Sequence, residues 1–434
     1  MSSKFSWSVA MALAVSAMAL SSCGGSAQNA ATQSASAPDQ SASATCGTLT
    51  VAQGWYGDNR ERLDAMIKEI GTCTGDGDVA DGAPLALFDW DNTVVRNDIG
   101  DATTFWLLAN SKVLQPSNWT QVSSFLTPAA VEDLASSCGS LADPGQPLPT
   151  GSEAGTACAD AILSVYSEGT TTRGEKAFEG FNARRIEPQY AFAAQLQAGY
   201  TDEEVAGFAS QAREQNMAAE EGATQKIGTK DVTGWVRYYD QITDLIKTLK
   251  ENGFDVRIIS ASAEPVARVW AEPLGLTDNK VMGVAMAHEG ERITASLMPC
   301  GGDEASMPYI EGKRCRVNQD VLGITGPDAF KPAPESQRQA FSAGDSDTDV
   351  SFLIDATALR LVINRNKTEL MCNAYDNEDG KWLINPMFIE PKGQKTDPYP
   401  CSTNGEILPD GGTGPLKDIS GNLIEDQQDT VFGS

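Results

Sequence analysis

The chain has 434 residues, 41% of them hydrophobic, and a formal net charge of -27 from 32 basic and 59 acidic side chains. That composition supplies a sizeable core, and the length suits one large domain with an insertion or two domains of about 150 residues each. A nucleic-acid partner is excluded, because it would need a Lys/Arg footprint and no such cluster occurs.

The amino terminus has the pattern of an export signal. Lys4 supplies a positive start, and an apolar stretch runs from about Val9 to Leu20, too short for a permanent span. It ends in Leu20-Ser21-Ser22-Cys23, which resembles a bacterial lipobox. The resemblance implies a signal peptide over residues 1–22 and lipidation of Cys23. The mature protein is then exported and tied to a bacterial membrane by its lipid. Gly24 in place of Asp after that Cys fits the periplasmic side of the outer membrane. The alternative is an ordinary cleavable signal with a chance Cys. Residues 23–45 are mostly Ala, Ser, Gln and Gly and read as a flexible tether. No other stretch is apolar enough to predict a transmembrane helix.

Eight cysteines remain: Cys46, Cys73, Cys138, Cys158, Cys300, Cys315, Cys372 and Cys401. Outside the cytoplasm an even set reads as disulfides, and eight allow about 105 connectivities. They fall in four well-separated close pairs, so pairing of nearest neighbours is the expectation. A zinc site is a poor reading, since no CxxC occurs and His288 is the only histidine.

Asn59 to Ile70 has helical spacing, with Leu63, Met66, Ile67 and Ile70 on one face. Pro84 to Asp89 is a short apolar run ending in acid and predicts a buried strand. Helical patches follow around 103–112, 128–136, 157–166, 188–197 and 202–214, as in a helical insertion. Alternation of helix and strand resumes near Tyr238. Ile242 to Asn252 predicts a helix, Asp255 to Ser260 a strand and Val266 to Leu274 a helix. Val281–Ala287 and Arg292–Leu297 predict a β-hairpin around His288. Gln339 to Asp345 and Ala358 to Asn364 predict two further strands. Beyond about 375 the chain is turn-rich and polar. The alternation implies an α/β fold, a Rossmann-like parallel sheet with helices on both faces. The boundaries are a core of 46–105 and 240–375, an inserted helical cap of 106–239 and a C-terminal extension of 376–434.

In such sheets ligands bind beyond the carboxyl ends of the strands. Asp89, Ser260 and Asp345 all end predicted strands. In Phe88-Asp89-Trp90-Asp91-Asn92-Thr93, two carboxylates two residues apart can divide the work. One attacks phosphorus, and the other gives a proton to the leaving oxygen and then takes one from water. Ser260 can donate to a phosphoryl oxygen. In Glu311-Gly312-Lys313 the lysine can neutralise nucleophile and phosphoryl group. Lys331 is the rival, disfavoured by the proline after it. Gly344-Asp345-Ser346-Asp347-Thr348-Asp349 suits a hard cation: magnesium takes one or two carboxylates with water and phosphate oxygens. Calcium on the same loop is the alternative, although it lacks the central Gly and final Glu of an EF-hand.

These four segments, in this order, resemble the motifs of the haloacid dehalogenase superfamily over roughly 85–115 and 240–370. The resemblance implies a magnesium-dependent phosphatase. Asp89 would be nucleophile and Mg²⁺ ligand. Asp91 would be acid/base, with its backbone carbonyl on the metal. Ser260 and Lys313 would hold the phosphoryl group, Asp345 would ligate Mg²⁺, and Asp349 would support it directly or through water. The helical insertion and the last motif resemble the phosphoserine-phosphatase-like branch. Asp89 to Thr93, Ser260-Ala261-Ser262 and Leu361 to Arg365 are most similar to the exported phosphorylcholine phosphatases. The expected substrate is therefore a small phosphorylated metabolite, with phosphocholine first and phosphoserine, a nucleotide or a sugar phosphate as alternatives. A cation-binding surface lipoprotein without catalysis is the reading from another class. Trp90 and Trp106 are candidate aromatic contacts for choline, against the plainer reading of Trp106 as helix core.

Overall fold

The computed structural model describes residues 46–73, 82–302 and 305–433, so the signal peptide, Cys23 and the tether lie outside the described residues. The described chain begins with helix α1 (Asn59–Ile70) and strand β1 (Leu85–Phe88). All four residues of β1 are buried, as an interior strand of a parallel sheet requires. A short strand β2 (Val95–Arg96) leads into the insertion. There follow helices α2 (Ile99–Ala109), α3 (Pro128–Cys138), α4 (Thr156–Leu163), α5 (Pro188–Gln195) and α6 (Asp202–Ala218). Strands β3 (Thr224–Ile227) and β4 (Lys230–Thr233) form a hairpin before β5 (Arg237–Tyr238). β5 pairs antiparallel with β2, so the chain enters and leaves the insertion side by side.

The core then resumes with α7 (Asp240–Glu251), β6 (Asp255–Ala263), α8 (Glu264–Ala271) and β7 (Val281–Val284). Strands β8 (Met286–Glu289) and β9 (Arg292–Leu297) make a hairpin, followed by α9 (Glu311–Asp320). β10 (Phe341–Gly344), α10 (Val350–Asp355), β11 (Leu359–Asn364), α11 (Thr368–Asp376) and β12 (Trp382–Pro386) complete the sheet.

The sheet has six strands in the order β12-β11-β10-β1-β6-β7, and every pairing in it is parallel. Numbered by their place in the chain these strands run 3-2-1-4-5-6 from β7, the doubly wound order. Its switch point lies between β1 and β10. The main apolar cluster joins α1, α7 and α8 to the sheet through Leu63, Ile67, Phe88, Leu245, Ile258 and Trp270. The insertion has an apolar cluster of its own, built on Phe105, Trp106, Leu134, Ile162, Phe178 and Phe192. Among the described residues no helix is long and apolar enough to cross a membrane.

Several expectations need correction. The core does not stop at 375: β12 pairs with β11 as an edge strand, so Trp382–Pro386 belongs to the sheet. Its five residues are short, and the polar turn just before them hid the apolar face. The expected hairpin is displaced. Val281–Val284 joins β6 in the parallel sheet, and the hairpin partner of β9 is Met286–Glu289. The insertion is not wholly helical, since it contains β3 and β4. Helix α2 starts at Ile99 and runs through the expected boundary at 105/106. Strand β6 passes Ser260 and ends at Ala263, because its pairing with β7 shifts register between Ile259 and Ala263 and continues through small residues.

All four disulfides join nearest neighbours, Cys46–Cys73, Cys138–Cys158, Cys300–Cys315 and Cys372–Cys401. The third closes a loop of 15 residues and anchors α9. A loop of that length contributes about 3 kcal/mol by restricting the unfolded chain. The double variant Cys300→Ala/Cys315→Ala should lose about that much, read as a lower urea midpoint. An unchanged midpoint would show that the tie is energetically idle.

Candidate active site

Asp89 is the first residue beyond β1, and its backbone N–H donates to Ala343 O on β10 at 2.9 Å. It therefore sits at the switch point. The residue is 4% exposed, and its side chain is held by two donors: Lys313 Nζ lies 2.5 Å from Oδ1, and Thr93 Oγ1 lies 2.9 Å from Oδ2. Thr93 Oγ1 is also 3.1 Å from Oδ1 of Asp345, the residue after β10, so one hydroxyl ties the two strand ends together. Asn92, with φ at 60°, lies in the tight turn between Asp89 and Thr93.

Lys313 rises from the first turn of α9 and is fully buried. Its Nζ bridges Asp89 and, at 2.6 Å, Oδ1 of Asp349. Burial alone would lower the ammonium pKa, but Asp349 and Asp89 hold it above the ordinary lysine value, so it stays charged. Lys331, the rival, is an exposed lysine paired with Asp328.

Asp349 is satisfied by the chain itself. Its Oδ2 accepts the backbone N–H groups of Asp345 at 2.9 Å and Ser346 at 3.0 Å, and its Oδ1 also takes the Thr348 hydroxyl at 2.8 Å. Gly344 permits this fold-back, because a Cβ there would stand 2.7 Å from the Asp349 carboxyl. Asp345 Oδ2 meets Arg365 Nη1 at 2.5 Å. Arg365 follows β11 as Asp345 follows β10, so it belongs to the same row of strand ends.

Asp91 is clamped at both oxygens. Oδ1 accepts the Ile99 N–H at 2.7 Å, and Oδ2 lies 2.9 Å from Ser262 Oγ and 3.5 Å from Ser260 Oγ. Burial, then the charges of Asp98 and Asp89, push its carboxyl well above the ordinary value, which favours the protonated acid. Asp89 is pushed up to about 6, mainly by burial; Lys313 pulls it down and Asp345 pushes it up.

The donor chemistry fits a hard divalent cation. Asp89, Asp345 and Asp349 are all buried, and one oxygen from each lies within 4.8 Å of the others. Asp89, Asp345 and Asp349 meet Lys313 and Arg365, which leaves the three carboxylates with an excess of negative charge that a divalent cation would offset. No other group of three such ligands occurs among the described residues.

A cavity of about 600 Å³ opens over this cluster. Asp89, Asp91, Ser262, Asp345 and Arg365 form its floor, and Phe105, Tyr166, Tyr190 and Trp235 of the insertion are among its walls. The expected aromatic contacts, Trp90 and Trp106, are not in it. Trp90 is fully buried edge-on to Tyr238, and Trp106 stacks on Phe208 inside the insertion. The floor residues Ser262 and Arg365 went unassigned in the sequence, although both lie at strand ends. The walls gave no such signal.

No protein-family model matches the chain, and no curated protein matches it. Among solved structures it is similar to a conserved protein of unknown function from Anaerococcus prevotii. The TM-score is 0.55 at 18% identity, over 79% of this chain and 94% of that one. A protein of unknown function from Bordetella pertussis gives 0.41 at 16% identity, over 70% and 98%. Phosphoserine phosphatase, as a phospho-aspartyl intermediate analogue, gives 0.31 at 14% identity, over 65% and 86%. The doubly wound sheet gathers the four segments at its switch point, the α/β arrangement that the sequence analysis expected.

Proposed function

We propose that this chain is a phosphomonoester hydrolase that works through an aspartyl-phosphate on Asp89. One observation carries the reading: a buried carboxylate at the switch point is bonded to a lysine ammonium, two residues from a second carboxyl that a helix N–H and a serine hydroxyl clamp. Asp89 attacks phosphorus, the ester P–O bond breaks, and Asp91 gives its proton to the departing oxygen. Water then attacks the phosphorus. Asp91 takes back a proton, and the bond to Asp89 breaks to release inorganic phosphate. Lys313 keeps Asp89 oriented and offsets the charge that gathers on the transferring group. Ser260 and Lys313 are the residues assigned to the phosphoryl oxygens.

Magnesium is the proposed cofactor. Asp89, Asp345 and the Asp91 carbonyl would hold it, with Asp349 acting through water, and it would neutralise phosphoryl charge. Asp345→Asn should abolish the rise in melting temperature that magnesium gives the wild type. At a hundredfold excess over Kd that rise corresponds to about 2.7 kcal/mol. An undiminished rise in the variant would move the cation elsewhere.

Phosphocholine is the proposed substrate. Its support is the sequence resemblance, together with the Tyr166 and Tyr190 rings and the Asp98 and Asp101 carboxylates on the cavity wall, which suit a cationic head group. Export and lipidation at Cys23 are part of the same proposal, supported by four disulfides that need an oxidising compartment. The test is phosphate release by the soluble, oxidised chain starting after Cys23. It is offered p-nitrophenyl phosphate, phosphocholine and phosphoserine, with magnesium or with a chelator. Turnover that needs magnesium and favours phosphocholine is expected. Preference for phosphoserine would overturn the substrate, and turnover unaffected by chelation would overturn the cofactor.

A further inference from the structure

Two serines stand on β6 beside Asp91, and they are placed differently. Ser260 is fully buried, and its Oγ accepts the Ser262 N–H at 3.0 Å. Ser262 lies on the cavity floor and donates to Asp91 Oδ2 at 2.9 Å. Its hydroxyl is confined on the far side as well, since a Cβ on Gly100 would meet Ser262 Oγ at 2.9 Å. Gly100 belongs to the first turn of α2, whose Ile99 N–H binds the other Asp91 oxygen at 2.7 Å. The acid is thus gripped between a helix start and one strand hydroxyl.

We propose that Ser262 is a positioning residue for the proton transfer made by Asp91, an assignment that rests on the reading of Asp91 as the acid. When Asp91 surrenders its proton, the new carboxylate lies on the cavity floor two residues from Asp89 and draws on the donors that already touch it. Ile99 N–H serves Oδ1 in either state. Oδ2, the oxygen beside the cavity serine, depends on the Ser262 hydroxyl, with Ser260 a distant second at 3.5 Å. The hydrogen bond is therefore stronger once the proton has moved, which is the condition for aiding the step rather than the ground state. It matters most where the leaving oxygen is strongly basic.

The test measures kcat/KM with magnesium for p-nitrophenyl phosphate, whose leaving group hardly needs a proton, and for phenyl phosphate, whose leaving group does. Ser262→Ala should cost roughly tenfold or more on phenyl phosphate, the size of a hydrogen bond to a charged group, and much less on p-nitrophenyl phosphate. On an Asp91→Asn background it should add nothing, because there is no proton left to position. Ser260→Ala should slow both substrates alike. Equal losses for Ser262→Ala on the two esters, or losses that add to those of Asp91→Asn, would overturn the proposal and leave the hydrolase reading intact. If Asp91→Asn itself is insensitive to the leaving group, the role of Asp91 fails, and that of Ser262 with it. Ser262→Cys, a weak donor, replaces the alanine variant if that one does not fold, with the same contrast expected.

Discussion

Asp89→Asn should abolish turnover while leaving a folded protein. The amide keeps the shape and an oxygen for Lys313, but it cannot form the acyl phosphate, so kcat should fall by on the order of 10⁴ or more. Stability should move little or rise. The wild-type carboxylate is buried in a crowd of acids and pays a desolvation penalty that the neutral amide escapes. A phosphate-release assay beside a thermal melt in chelator reads both effects. Turnover above about 1% of wild type would end the covalent mechanism, because no other carboxylate stands at the same strand end. A collapsed melting transition would instead assign Asp89 to the fold.

Lys313→Met should be the most destabilising single change in the site. Methionine matches much of the lysine stem, yet it strands Asp89 and Asp349 without their shared cation. Removing one partner of a buried ion pair costs about 3–5 kcal/mol. The loss should depend on pH, and its sign follows from Asp89. That carboxyl is already raised from 3.8 to about 6 in the native state, and loss of Lys313 raises it further. Folding therefore favours its neutral form. The stability this contributes is fully present below about pH 4 and is lost as pH rises through 6 and above. In chelator, the variant should stand closest to wild type near pH 5 and furthest from it near pH 8. A constant gap across that range would mean that the two carboxylates find another cation.

How much of this was legible depended on whether a residue was announced by its neighbours. Asp89 and Asp345 follow apolar runs that could only be buried strands, so both strand and acid could be read together. Lys313 has no such herald; α9 is one of the least apolar helices, and its lysine is buried against two aspartates, one just after β1 and one at the head of α10. Ser260 was read as a strand end because Ala261 and Ala263 carry little strand character, whereas register with β7 carries the strand onward. Arg365 repeats at β11 the position that Asp345 occupies at β10, a parallel that the strand alternation would have allowed. Tyr166 and Tyr190 could not be found, since an aromatic on a helix looks the same whether it faces a cavity or a core. Trp106 was the core case, and only its stacking on Phe208 decides it.

The pairing of β2 with β5 has a consequence for how such a protein can change. The insertion leaves and rejoins the core at one narrow crossing, and it holds itself together with an apolar cluster of its own. Its walls can therefore be exchanged for others without altering the order of the parallel strands or the reach of Lys313. The tolerance has one limit. Ile99, at the head of the first inserted helix, holds Asp91, the proposed proton donor. A foreign insertion would inherit the chemistry only if it began with that same turn.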